Sequence, residues 1–320
     1  MLKFSEFFNQ WLHQNYYKNA VLVGKKGDFY TTVSVGSLFG ALLAKHFLNL
    51  IDKNSIHLPI SIIEIGANEG LLMKDFISAL LILRPCIFKH IELFILEPHE
   101  KLQILQKNTL KDIEFKHIKT LQKNQFNNAF FFCNELFDSF TCELIDGNKM
   151  AFVNENFHLH FANADKKLIE KCEKIGLAKG EFSPFLEDFL NAIKQSAKKF
   201  IFCTFDYGVK AANSFSLRIY QNHQIYSPFE ENLKNFFGKS DMTYDVNFSH
   251  LFYILKELNM ELLEFKKQNL AFIEFGLEEL LNQIQKENPQ NYTYFLQQSK
   301  HLMFGFNDKF HFIEFKHCNY

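Results

Sequence analysis

The sequence predicts an α/β fold built around a doubly wound parallel sheet, and three observations carry the prediction. The apolar run Ile62-Ile63-Glu64-Ile65 passes straight into Gly66-Ala67-Asn68-Glu69-Gly70 and then into the helix-like Leu71-Leu72-Met73-Lys74-Asp75-Phe76. A second apolar run, Leu93-Phe94-Ile95-Leu96, ends in Glu97-Pro98 about thirty residues later, the interval that a strand-helix-strand unit requires. Beyond it, strand and helix patterns keep alternating: a strand over 91–96, a helix through Leu102 and Leu105, a short strand near 113–117 and another over 129–133.

The remaining elements follow in chain order. Phe4, Phe7, Phe8, Trp11 and Leu12 fall on one helical face, with Ser5 as a candidate cap; the face is expected to pack on the domain rather than on a lipid surface. Gly27-Asp28-Phe29-Tyr30-Thr31 has no helix or strand pattern and is placed to fold over the working edge of the sheet. The alternation breaks over 142–161, where Asp146-Gly147 and Asn154-Glu155-Asn156 separate short alternating runs, the pattern of a meander. Residues 166–199 have helical periodicity interrupted by Gly176, Gly180 and Pro184 and read as two inserted helices. The core resumes with Lys199-Phe200-Ile201-Phe202-Cys203-Thr204-Phe205 and ends at Asp206-Tyr207-Gly208. Residues 209–248 show little regular pattern, and a loop of that length inside a compact domain points to a cover over a site. Helices near 248–258, 277–286 and 291–304 flank strands near 261–265 and 310–315.

Composition narrows the function. With 320 residues, 47% of them hydrophobic, the chain can bury a substantial core. A net charge of -1 and a pI near 6.9 remove the electrostatic case for binding nucleic acid. Forty Phe against one Trp, with abundant Lys, Asn and Ile, reflect an AT-rich coding bias rather than an aromatic cage. Cys86, Cys133, Cys142, Cys172, Cys203 and Cys318 show no C-x-x-C and no Cys/His spacing suited to zinc, so they read as reduced thiols and no metal site is expected. No apolar run reaches the length of about 18 residues that spans a bilayer, and no basic stretch followed by an apolar core opens the chain, so a cytoplasmic location is expected.

The glycine turn decides the ligand class. A dinucleotide fingerprint, G-x-G-x-x-G, brings helix N-terminal amides to a pyrophosphate, but here its second and third glycine positions are Asn68 and Leu71. What remains is E-x-G-x-x-x-G, a spacing suited to S-adenosyl-L-methionine (SAM), which presents an amino acid, a sulfonium and a ribose rather than a phosphate. Glu97, at the end of the second strand, is placed to accept from both ribose hydroxyls; the plainer alternative is a solvated turn residue.

Asn134-Glu135-Leu136-Phe137-Asp138 follows the strand Phe130-Phe131-Phe132-Cys133, putting two carboxylates at the same sheet edge. Methyl transfer is an in-line displacement, so the protein must chiefly hold the acceptor's lone pair toward the sulfonium methyl. An acid pair would orient a guanidinium acceptor through a geometric fork. Capping of the following turn is the structural alternative for both Glu135 and Asp138. Asp206, in the third polar cluster, joins them as a candidate catalytic acid, while His223 is placed to act as a base or to order a loop.

Taken together, Gly27-Asp28-Phe29-Tyr30-Thr31, the Glu64 loop, Leu96-Glu97-Pro98, Asn134 to Asp138, Phe205-Asp206-Tyr207-Gly208, Leu217-Arg218-Ile219-Tyr220 with His223, and Asp241-Met242-Thr243-Tyr244-Asp245-Val246-Asn247-Phe248 resemble the MidA family of SAM-dependent methyltransferases. The ordered set spans nearly the whole chain. The resemblance implies a Rossmann-like SAM-dependent methyltransferase core with an inserted meander and a helical cap region. The core is expected over 61–145 and 199–320, with C-terminal cap elements. The insertion covers 146–198, and an N-terminal helix and cofactor-covering segment covers 1–60. Glu64, Gly66, Gly70 and Glu97 would contact SAM, Asn134, Glu135 and Asp138 would border the acceptor, and Asn134 is counted among the cofactor-binding residues as well. Tyr30 and Thr31 would close the pocket. The family includes a mitochondrial complex I assembly factor, so the resemblance also implies a protein acceptor, an arginine on a subunit of respiratory NADH dehydrogenase.

This chain departs from the family pattern at Asn68-Glu69, at Thr32-Val33 in place of a usual Ser-Pro, and at Asn247 where Asp is common. Asn is the non-glycine residue that best tolerates a left-handed backbone. A small-molecule methyltransferase and a non-catalytic assembly protein remain as alternatives, and the oligomeric state, a homodimer included, is open.

Overall fold

Residues 60–65 read as a nearly continuous apolar run because both faces of the strand they form are covered. In the computed structural model, which describes residues 1–17, 32–222, 224–306 and 308–318, this strand is β1 (Ile60–Ile65). On one side lie β2 (Ile91–Leu96) and β3 (Lys116–Ile118), and on the other β4 (Phe126–Asn134) and β5 (Ala197–Val209), with every one of these pairings parallel. Next to β5 is β7 (Phe310–Cys318), which pairs antiparallel with the edge strand β6 (Glu261–Lys267). The order β6-β7-β5-β4-β1-β2-β3 changes direction between β1 and β4. Ligands of such sheets bind outside the carboxyl ends of the strands at this switch point.

Two helices show how sequence fixes the layer. Helix α1 (Leu38–Asp52) buries Leu38, Phe39, Leu42, Leu43, Phe47 and Leu50, and α2 (Leu71–Leu83) buries Leu72, Met73, Phe76, Ile77 and Leu80. They meet at Gly40, where a Cβ would stand 2.5 Å from Asp75 Cβ and 2.8 Å from the Phe76 amide nitrogen. Alternation along β4 splits its phenylalanines: Phe130 stacks on Phe76 and Phe132 packs tilted against it, whereas Phe131 contacts Phe200 and Phe202. Much of the abundant Phe is therefore spent on burial, although Phe185, Phe229 and Phe304 are exposed. Helix α3 (Glu100–Thr109) follows β2, and α4 (Gln268–Phe275), α5 (Leu277–Glu287) and α6 (Pro289–Phe304) lie between β6 and β7 in the chain.

These elements belong to one compact unit, Thr31–Asn134, Ile193–Asp206 and Glu261–Tyr320. A companion unit consists of Met1–Tyr30, Glu135–Ala192 and Tyr207–Met260. Within it, Glu143–Asp146, Lys149–Val153 and Leu159–Asn163 form the expected antiparallel meander. Leu2–Lys3 also pairs with Lys149–Val153. The helix Phe4–Asn9 continues as a π-helix over Gln10–Tyr16. Its Phe4, Phe7, Phe8, Trp11 and Leu12 are buried with Leu144, Ala151, Val153, Met242 and Tyr244, and Trp11 Nε1 donates to the Ser240 carbonyl at 2.7 Å. The aromatic face packs on its own unit, as expected.

Several expectations need correction. Ser5 does not cap the first helix: Lys3 holds the cap position, and the Ser5 backbone N–H and hydroxyl both donate to the Glu143 carboxylate. Residues 209–248 are not irregular. They contain Arg218–Gln221, Gln224–Tyr226 and Asp241–Thr243, paired antiparallel as a three-stranded sheet. Strands of three or four residues are too short to show alternation. Lys179–Phe182, inside the tract read as helical, pairs with Glu143–Asp146, and α4 was not foreseen. The strand expected near 113–117 forms instead over Lys116–Ile118.

Phe4, Phe7, Phe8, Trp11 and Leu12 bury with the meander, α1 groups with the core through α2, and 207–260 group with the meander.

Candidate active site

At the end of β1 the chain turns through three left-handed positions, Gly66 (φ 67°), Asn68 (φ 47°) and Gly70 (φ 80°), and the Gly70 N–H donates to the Ala67 carbonyl at 2.7 Å. Asn68 thus does what a glycine does elsewhere in the family pattern. Glu64, one residue before the strand end, is buried and turned toward the start of α2, where its carboxylate accepts from the Met73 N–H. Its Oε2 has no partner among the described residues. Burial pushes this carboxyl up to about 8, the Met73 N–H opposing and the nearby Asp75 adding to the rise.

Glu97 stands just past β2, 2% exposed, so it is not a solvated turn residue. Its N–H donates to the Ile118 carbonyl at 2.9 Å, which fixes it to the end of β3. Oε1 accepts from the His99 N–H at 2.9 Å, and Oε2 from Gln106 Nε2 at 3.3 Å. Burial lifts Glu97 to about 7, against the pull of those two donors.

Gln106, which the sequence reading passed over, ties the two halves together. The same Nε2 donates to the Asn68 carbonyl at 2.9 Å, and Oε1 lies 2.8 Å from His117 Nε2. Its signal was present: at positions 102, 105 and 106 the inner stripe of α3 reads Leu, Leu, Gln, and a fully buried glutamine on such a stripe must have partners.

Asn134 closes β4. The register pairs it with Phe205 of β5, so Asp206, completely buried, sits one residue further along the neighbouring strand. Glu64, Gly66, Gly70, Glu97, Asn134 and Asp206 therefore lie along or just beyond the carboxyl ends of four adjacent parallel strands of the core unit. Glu135, the next residue of the chain, has φ 49°. Tyr30, Thr31 and His223 lie outside the described residues.

Asp138 belongs to the companion unit, in the turn Phe137–Ser139, and is 4% exposed. The Tyr207 hydroxyl hydrogen-bonds its carboxylate and lies 2.6 Å from Thr243 Oγ1. The Arg218 guanidinium sits over the Tyr207 ring, 4.8 Å from its centroid, and reaches Asp245 at 2.8 Å. Burial raises Asp138 to about 6, while Tyr207 and Arg218 pull the other way. Asp138 is thus already served by a phenol and an internal guanidinium, neither of which its sequence neighbourhood announced.

The core edge has the acceptors and the clearance that SAM needs. Two buried carboxylates, one with an unpartnered oxygen, flank a loop whose left-handed turns let the backbone come close to a ligand. A family model described as "Putative S-adenosyl-L-methionine-dependent methyltransferase" matches residues 42–266. The chain belongs to this family. The cofactor of this methyltransferase is SAM.

A crystal structure of a Burkholderia thailandensis protein bound to S-adenosyl-homocysteine superposes with a TM-score of 0.80 over 99% of this chain and 88% of that one, at 18% identity. A native crystal structure from the same organism gives 0.78 over 99% and 87%, at 16% identity. Both come from the MidA-like superfamily, and the resemblance read from the motifs stands. No curated protein matches the chain. Among the described residues no helix is long and apolar enough to cross a membrane.

Proposed function

We propose that this methyltransferase modifies a protein acceptor in the cytoplasm, methylating an arginine side-chain nitrogen. The observation that carries the cofactor half of the reading is the pair of buried carboxylates, Glu64 and Glu97, at the ends of adjacent parallel strands around the left-handed loop. Glu97 accepts from the ribose diol, and the unpartnered oxygen of Glu64 accepts from a donor on the methionine side. Gly66 and Gly70 keep the backbone clear, and Asn134 borders the sulfonium end. When bound, SAM supplies an electrophilic methyl for in-line displacement.

For the acceptor half, Glu135 is assigned the contact with the guanidinium, where a carboxylate fixes the nitrogen's direction. Asp138 acts one step removed. Held by Tyr207 and faced by Arg218, it positions the turn after Glu135 rather than binding the acceptor. Asp206 is assigned to the acceptor side because it continues the strand paired with Asn134. The resemblance to the MidA family makes a respiratory NADH dehydrogenase subunit the first acceptor to try.

The test is transfer of labelled methyl from SAM by the purified protein into a lysate of a strain lacking it, with acid hydrolysis to identify the methylated residue. Methylarginine in protein supports the reading. Label confined to low-mass products would transfer the assignment to a small molecule. SAM binding without any transfer, together with full rescue of the deletion strain by Glu135→Gln, would leave an assembly role in place of catalysis.

A further inference from the structure

Away from the methyl-transfer edge, three side chains from distant parts of the sequence converge inside the core unit: His46 on α1, Cys203 on β5 and Glu314 on β7. His46 Nε2 lies 2.6 Å from Glu314 Oε2, and Cys203 Sγ lies 3.2 Å from the same oxygen. All three ligand atoms fall within 4.8 Å of one another. Glu314 and His46 have side chains only 4% and 13% exposed, and Cys203 is completely buried. The walls are aromatic: Phe275 stacks on the imidazole at 4.0 Å between centroids, and Phe312 meets it edge-on at 5.5 Å. No step of methyl transfer uses any of the three.

We propose that His46, Cys203 and Glu314 form a binding site for a zinc ion that staples α1 to β5 and β7. The donor set selects the metal. Imidazole, thiolate and carboxylate are the three common protein ligands of zinc, whereas magnesium and calcium take oxygen alone. The charges also close: one thiolate and one carboxylate cancel a divalent cation, so the assembly can sit among phenylalanines without a net buried charge.

Geometry permits it. Ligand atoms about a tetrahedral zinc stand roughly 3.3–3.5 Å apart, given bond lengths near 2.0 Å to nitrogen or oxygen and 2.3 Å to sulfur. The contacts of 2.6 and 3.2 Å to Glu314 Oε2 reach that spacing with less than about 1 Å of carboxylate movement, and the third pair, His46 and Cys203, lies within 4.8 Å, so closing it onto one ion calls for a further side-chain shift of up to about 1.5 Å. On binding, Cys203 forms an S–Zn bond and its thiol proton leaves to solvent. His46 gives its Nε2 lone pair with its proton on Nδ1, Glu314 gives one oxygen, and water takes the fourth position. The competing arrangement is a closed set of hydrogen bonds in which Glu314 alone accepts from both neighbours, and the experiment separates the two.

Tag-free protein dialysed against buffered zinc and then against metal-free buffer is assayed for elemental content. Wild type is expected to retain about one zinc per chain, and Cys203→Ser and His46→Gln to lose it, as a ligand deletion in a three-residue site requires. Replacement of the zinc by cobalt should give wild type a thiolate-to-cobalt charge-transfer band that Cys203→Ser lacks. A strong chelator should lower the melting temperature of wild type. Zinc below about 0.1 per chain in wild type with no thiolate–cobalt band would overturn the site, and so would zinc fully retained by Cys203→Ser. Should a variant fail to fold, the wild-type metal content and cobalt band decide the matter by themselves.

Discussion

Replacing Gln106 by Leu removes a side chain that joins the glycine turn to the second acid. Leu preserves most of the volume of this fully buried residue but leaves the Asn68 carbonyl, Glu97 Oε2 and His117 Nε2 without it. A hydrogen bond to a carboxylate contributes about 1.5–3 kcal/mol and one between neutral groups about 0.5–1.5 kcal/mol. The 3.3 Å contact to Glu97 belongs at the weak end of its range. With the Asn68 bond at 2.9 Å and the His117 bond at 2.8 Å, the total loss comes to about 2.5–4.5 kcal/mol. Part of it falls on global stability, and part on the free energy of holding Asn68 and Glu97 in the arrangement proposed to meet the cofactor. If about 1.4 kcal/mol of it falls on the second, the Kd for SAM rises about tenfold. Calorimetric titration with SAM and S-adenosyl-homocysteine measures that share, and urea denaturation measures the rest. A variant that loses stability yet binds SAM within about twofold of wild type would refute the idea that Gln106 sets the loop for the cofactor.

Glu64 and Glu97, raised by burial to about 8 and about 7 from an ordinary 4.5, stay protonated in the folded protein where the unfolded chain would ionise them. The ligand-free protein should therefore lose stability as pH rises from about 5 to about 8. Hydroxyl and ammonium donors on SAM favour the ionised acids, so affinity should increase over the same window with release of protons, read by calorimetry in two buffers of different ionisation enthalpy; a flat profile would count against both assignments. Gly40→Ala should lower the urea-derived stability by about 1–3 kcal/mol, because its new Cβ meets Asp75 Cβ at 2.5 Å and the Phe76 backbone at 2.8 Å. An unchanged midpoint would show that α1 and α2 separate freely. Tyr207→Phe takes a hydrogen bond from Asp138, so the Asp138 pKa should rise further above about 6, as read by carboxyl-carbon NMR titration of the folded protein. An Asp138 pKa that does not rise would show that the Tyr207 hydroxyl does not support this carboxylate.

What the sequence made legible was local and periodic. β1, β2, β4 and their acids are visible because a strand covered on both faces must be apolar and must stop where polar chemistry begins, and the left-handed Asn68 follows from the residue type alone. What stayed hidden depends on partners far along the chain. Arg218 could not be matched to Tyr207 and Asp245 from spacing, since the strand that carries it has four residues and its neighbour Asp241–Thr243 three. Glu314 gave no sign of His46 or Cys203, because β7 reads as one more apolar strand with a single acid in it. Gln106 is intermediate: its position on the apolar stripe was a signal, but its partners were not.

The backbone at Glu135 separates the two acids that the sequence had paired. Among the described residues, seven non-glycine positions have positive φ, and five are Asn, the side chain that accepts this conformation most readily; Glu135 and Phe157 are the others. A glutamate held at φ 49° raises the energy of the folded state by about 1–2 kcal/mol relative to a residue at ease there. The chain elsewhere uses Asn to relieve that strain, so its retention at the residue directly after β4 argues that the carboxylate itself is required. Asp138, by contrast, is buried in contact with Tyr207 and shares its charge with Arg218, a role that stability alone can explain. Glu135→Asn should therefore raise the unfolding free energy by about 0.5–1 kcal/mol, leave SAM affinity unchanged and abolish methyl transfer. Asp138→Asn should do the reverse, lowering stability and reducing transfer only partly. If Glu135→Asn still transfers methyl at a comparable rate, the strained glutamate is not the acceptor contact, and the guanidinium assignment goes with it.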